Sequence, residues 1–172
     1  MTASFSKLRS KVFELCRQSK YEDAIALCRT KLGKTRNADD RIGILLLIPY
    51  ILDCAGRLSE SKEALRSIID ADPLNRGAQY HLLLVLIELG NLKRAIEAAD
   101  QLVEIDTRFP FQSFTSSAYF HKAYAACKLK RFKQAKAALD KSEEMGAIWI
   151  DRRLISRKQL MSCISRKKFD LT

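Results

Sequence analysis

A short pattern recurs four times along this chain of 172 residues, and that repetition limits the possible fold more than any other feature. It reads Ser19-Lys20-Tyr21-Glu22-Asp23-Ala24, then Gly56-Arg57-Leu58-Ser59-Glu60-Ser61. It returns as Gly90-Asn91-Leu92-Lys93-Arg94-Ala95 and as Lys130-Arg131-Phe132-Lys133-Gln134-Ala135. A small or polar pair precedes a large apolar residue, and a small residue follows three positions later. The anchors Tyr21, Leu58, Leu92 and Phe132 stand 37, 34 and 40 residues apart.

Helical periodicity surrounds each anchor. Downstream, Ala24, Ile25, Cys28 and Leu32 fall on one stripe, as do Ser61, Leu65, Ile68 and Ile69. Ala95, Ala99, Leu102 and Val103 repeat it, followed by Ala135, Ala138 and Leu139. Upstream stripes run through Leu8, Val12 and Leu15, through Leu45, Ile48 and Leu52, through Leu82, Leu83 and Leu86, and through Tyr119, Ala123 and Ala126. Each unit therefore reads as two amphipathic helices joined by a tight turn. Gly56 and Gly90 stand where a helix C-cap needs positive φ, and Pro73 stops the second unit. The small residues at 24, 61, 95 and 135 mark close approach of paired helices.

These residues give the chain a resemblance to the tetratricopeptide repeat family over roughly residues 5–149. The resemblance implies an all-α fold, a right-handed solenoid of antiparallel helix pairs in one domain. Repeats are expected at about 5–38, 42–75, 76–109 and 116–149. A closing helix is expected at about 147–165, because a stacked repeat exposes an apolar face at its end. No β-sheet is expected. The family's aromatic at the start of the first helix appears only as Tyr119, with Leu8, Leu45 and Gln79 elsewhere. Its mid-helix glycine is replaced by Val12, Pro49, Leu83 and Ala123, and a kink is expected near Pro49.

The resemblance also implies a protein-binding function, with contacts drawn largely from the first helix of each pair. By alignment the groove positions are Arg9 and Phe13, then Leu46, Leu47 and Tyr50. They continue as Tyr80, His81 and Leu84, then Phe120, His121 and Tyr124. That set is apolar and aromatic, suited to an amphipathic helix or an extended peptide of a partner. The competing reading is that the aromatics only pack against neighbouring helices. The Lys, Asn and Arg clamp with which some family members hold acidic chaperone tails is absent from Phe13, Leu47, His81 and His121. Between the third and fourth repeats lie Phe109, Phe111 and Phe114, either a local plug or a second contact surface.

Chemistry of other kinds finds little footing. There is no Gly-rich phosphate loop and no nucleophile with an evident base, so an enzyme is not expected. His81 and His121 lack a third ligand, so neither metal nor other cofactor is expected. The cysteines Cys16, Cys28, Cys54, Cys127 and Cys163 form no C-x-x-C, and their mostly apolar positions predict reduced, buried thiols in a cytoplasmic protein. The apolar run at 42–52 is too short for a bilayer, and no membrane partner is expected. Net charge is +11, with fourteen basic and five acidic residues in the stretch 116–172. Lys128, Lys130, Arg131, Lys133, Arg152 and Arg153 form a candidate basic patch. It supports an alternative function, nucleic-acid or ribosome binding, or else an acidic protein partner.

Overall fold

The computed structural model describes residues 2–142, 145–150 and 153–170. Four helix pairs follow in order: α1 (Ala3–Arg17) with α2 (Tyr21–Lys34), and α3 (Ala38–Cys54) with α4 (Leu58–Ala71). Then come α5 (Arg76–Glu88) with α6 (Leu92–Asp106), and α7 (Thr115–Lys128) with α8 (Phe132–Asp140). The fold is all-α and repetitive.

One turn is used four times. Ser19, Gly56, Gly90 and Lys130 adopt φ of 58°, 74°, 71° and 59°. The amide of the next residue then reaches back to the carbonyl five residues earlier: Lys20 to Leu15, Arg57 to Leu52, Asn91 to Leu86 and Arg131 to Ala126, at 2.8–2.9 Å. This is the Schellman closure of a helix, which satisfies carbonyls the helix leaves orphaned. Glycine enters the left-handed region freely, whereas Ser19 and Lys130 each carry a cost of about 1–2 kcal/mol. Three residues past each anchor, Ala24, Ser61, Ala95 and Ala135 are fully buried, as close helix approach requires.

The helices gather into two compact units, Met1–Pro73 and Leu74–Thr172. In the first, α2 packs on both α1 and α3, which also pack on each other. Phe5, Val12, Ala24, Ile25, Ile44 and Ile51 form part of its core. Gly43 leaves room for the Phe5 ring, since a Cβ there would stand 2.6 Å from Cζ. The Asp40 carboxylate receives the Thr2 amide at 3.0 Å and its hydroxyl at 2.5 Å. Helix α3 continues through Pro49, and the buried Ser61 hydroxyl donates to the Pro49 carbonyl at 3.1 Å.

In the second unit, α6 packs on α5 and α7, and α8 on α7. Asp106, fully buried at the end of α6, organises the connection to α7. Its carboxylate accepts from the Phe114 amide at 2.8 Å, the Thr115 amide and hydroxyl at 2.9 Å, and Arg76 Nη1 at 2.6 Å. No side chain caps α7 locally at Phe114, so this distant carboxylate serves its N-terminus.

The closing segment corrects the expectation of a helix at 147–165 and of no β-sheet. Ala147–Ile150 (β1) pairs antiparallel with Arg153–Ser156 (β2), and only then does α9 (Arg157–Arg166) begin. The physical reason lies in a period of two: Ile148, Ile150 and Ile155 turn inward, while Trp149 and Leu154 form an outward cross-strand pair. β-branched residues favour such a half-covered strand. A capping box fixes the helix start, with Ser156 and Gln159 reciprocally bonded. Arg157 locks the base of the hairpin, its amide donating to the Gly146 carbonyl at 2.8 Å.

Candidate functional site

In the first unit, the face formed by α1 and α3 is open. Phe13 and Tyr50, each 38% exposed, meet with ring centroids 5.0 Å apart. Ser10, Cys16, Arg17 and Cys54 complete a pocket of about 470 Å³ around them. Helical spacing explains the clustering: Ser10, Phe13 and Arg17 share one face of α1, and Tyr50 and Cys54 one face of α3. Partial burial pushes the Tyr50 hydroxyl up to about 12, assisted by its bond to Cys54, so the ring stays neutral. Arg9 is exposed on α1 and Leu46 half-buried on α3. Leu47 points inward and is buried, which removes it from the groove. Alignment singled out Phe13 and Tyr50 but missed Ser10, Arg17, Cys16 and Cys54.

The second unit is built otherwise. Phe120 and His121 are 0% exposed and Tyr124 nearly so, correcting the expectation that all three line an accessible groove. The covering is the chain itself. Strand β1 packs on both α5 and α7, and the Phe169 ring meets Tyr124 edge-on at 5.6 Å. Tyr80, His81 and Leu84 on α5 are half-buried. Tyr80 lies edge-on to His121 at 5.6 Å and tilted against Phe114 at 5.1 Å. The two histidines, equivalent by alignment, therefore have different surroundings.

His121 carries a titration signature. A carbonyl can only accept, so Nδ1 donates to the Ser117 carbonyl at 2.7 Å and Nε2 keeps its lone pair. Nε2 is buried without a hydrogen-bond partner among the described residues. Desolvation dominates and lowers the pKa to about 4, against the support of the Ser117 carbonyl. The folded value lies below the unfolded one, so the neutral ring's stabilisation is complete above pH ~6.5 and lost as pH falls toward 4. Urea unfolding at pH 7 and pH 4 is expected to differ by about 3 kcal/mol from this group. His121→Gln should flatten that part of the profile.

The phenylalanine insertion is mostly folded inward. The Arg76 guanidinium sits 4.0 Å above the Phe109 ring and 5.8 Å from that of Phe114, and donates to the Phe111 carbonyl at 2.7 Å. Phe109 and Phe114 are half-buried, whereas Phe111 is 78% exposed. Of the basic patch, Lys130, Arg131 and Lys133 are exposed around the α7–α8 turn, and Arg153 is exposed on β2. Lys128 is half-buried, with Nζ 5.4 Å above the Tyr124 ring. Arg152 lies outside the described residues. The thiols Cys16, Cys28, Cys127 and Cys163 are buried, but Cys54 is exposed, against the expectation of buried thiols throughout. Among the described residues no helix is long and apolar enough to cross a membrane.

Known proteins agree with this architecture. The tetratricopeptide repeat model matches residues 77–109 and 116–145, the pairs α5–α6 and α7–α8. Those two segments thus match tetratricopeptide repeats, and the chain has an all-α helical repeat fold like that of solved tetratricopeptide repeat proteins. It is similar to a tetratricopeptide repeat protein from Parabacteroides merdae, with a TM-score of 0.70 at 14% identity over 96% of this chain. The match spans 60% of the length of that protein. It also resembles MamA from Desulfovibrio magneticus, with a TM-score of 0.62 at 15% identity over 84% of this chain and 76% of that one. A putative kinesin light chain from Podosopora anserina gives 0.62 at 17% identity, over 83% of this chain and 76% of that one. No curated protein matches the sequence. Repeats of this kind are protein-interaction modules in general.

Proposed function

We propose that the chain is a non-catalytic binding module that takes an apolar or aromatic side chain of a partner peptide or helix at the α1–α3 face. The observation that carries this reading is the exposed Phe13–Tyr50 pair over a pocket of about 470 Å³. Large rings left half in water beside a concavity favour burial against a partner side chain. Arg17 and Ser10 at the rim add donors for a carboxylate or backbone carbonyl of that partner. The second unit contributes less, because its own hairpin already lies on α5 and α7.

With the partner in hand, Phe13→Ala and Tyr50→Ala should each weaken binding about tenfold or more, as hot-spot truncations do. Helical content by circular dichroism should be unchanged. Affinity should survive a rise in salt, because apolar burial is not screened. The reversal Lys130→Glu, Arg131→Glu, Lys133→Glu should leave partner binding intact while abolishing weak association with RNA or DNA. If that reversal eliminates partner binding and the aromatic variants are silent, the recognition is electrostatic and the pocket is not its site.

A further inference from the structure

The pocket holds two thiols from different helices. Cys16 stands one residue before the C-terminal end of α1, and Cys54 is the last residue of α3. Both line the same pocket, and α1 and α3 pack directly on each other. The Cys16 and Cys54 side chains face the same concavity, which Tyr50 also lines. Cys54 is exposed, whereas the other four thiols are buried. Cys28 on α2 is buried and does not line the pocket.

We propose that Cys16 and Cys54 are an oxidant-responsive pair that forms a disulfide across the α1–α3 face when the chain meets a hydroperoxide. The exposed Cys54 reacts first, because it is the thiol that solvent-borne oxidant reaches. Its sulfur attacks one peroxide oxygen, the O–O bond breaks, and Cys54 sulfenic acid and water (or an alcohol) result. The Cys16 sulfur then attacks the Cys54 sulfur, the S–O bond breaks, and water leaves with the Cys16 proton. Two thiols lose two electrons and the peroxide gains them. Burial holds the Cys16 thiol up at about 11, so the second step is slow near neutrality and accelerates as pH rises. Once formed, the bond ties the ends of α1 and α3 together one helical turn from Tyr50 and one turn from Phe13. The aromatic pocket is then fixed in one geometry until a dithiol reductant reopens it.

The chemistry does not depend on the pocket being a docking site, so its test stands apart from the binding assays above. The full chain is exposed to hydrogen peroxide, remaining thiols are alkylated, and the protein is digested with trypsin without reduction. The expected product joins residues 12–17 to residues 42–57 with loss of two hydrogens, and dithiothreitol separates them. In Cys16→Ser, Cys54 should halt at the sulfenic acid, captured by dimedone. Cys54→Ser, at an exposed position, should leave Cys16 reduced under the same dose. The proposal is overturned if wild-type Cys54 passes to sulfinic acid or couples to any other thiol while Cys16 remains alkylatable. It is equally overturned if Cys54 does not react at all.

Discussion

Asp106→Ala should destabilise the second unit by about 3–5 kcal/mol, the loss expected when a buried carboxylate, paired with a partly exposed guanidinium and bonded to two helix amides, is removed. The carboxylate is fully buried and accepts four hydrogen bonds, from two amides, a hydroxyl and the Arg76 guanidinium. Its removal strands the Phe114 and Thr115 amides at the start of α7, where no local side chain can replace it. Arg76 loses its charge partner while still held over Phe109. Burial alone would raise the Asp106 pKa; the bonds from Phe114, Arg76 and Thr115 outweigh it and hold the carboxyl below its ordinary value. The stabilisation is therefore present above the usual carboxylate range and fades as pH falls through the depressed value. Urea or thermal unfolding measures the loss. Thr115→Val is the control: it removes one donor and leaves the carboxylate three, so it should cost no more than about 1.5 kcal/mol. Equal losses from the two variants would mean that the network does not act as described.

The helix pairs were legible because their signals are local. Each turn announces itself by a residue able to enter the left-handed region, an apolar anchor two positions later and a small residue three beyond that. Ser19 and Lys130 fill the same turn as Gly56 and Gly90 without glycine, which only comparison across the repeats reveals. The hairpin was harder. Ile148, Trp149, Leu154 and Ile155 suit a helical stripe at the wide spacing, and the period of two shows only when each strand is taken separately. Yet Ser156-x-x-Gln159 is a helix-start signature, and it places the beginning of α9 at Arg157 from sequence. The candidate site followed the same division. Phe13 and Tyr50 were legible because alignment puts them on one open face. Phe120, His121 and Tyr124 occupy equivalent positions, but alignment is blind to a distant segment folding back over them. Asp106 was invisible for a similar reason, since its partners lie eight, nine and thirty residues away.

Phe120→Ala should cost about 3–5 kcal/mol, whereas Phe13→Ala should cost less than about 1 kcal/mol, although both positions derive from the same alignment of first helices. Phe120 is 0% exposed and is the largest of the fully buried side chains among the described residues. Truncating it opens a ring-sized void between packed neighbours, and the cost combines lost burial with an incompletely collapsed cavity. Phe13 is 38% exposed and meets Tyr50 at the edge of an open pocket, so its loss enlarges that pocket rather than creating a cavity. Tyr124→Ala should behave like Phe120→Ala, since burial and the Phe169 contact both end with the ring. Denaturant midpoints measured in parallel decide the matter, with circular dichroism confirming that Phe13→Ala stays helical. The decisive result is the ordering. If Phe13→Ala unfolds the protein and Phe120→Ala is tolerated, the open face lies on the second unit and the first is the one sealed by packing.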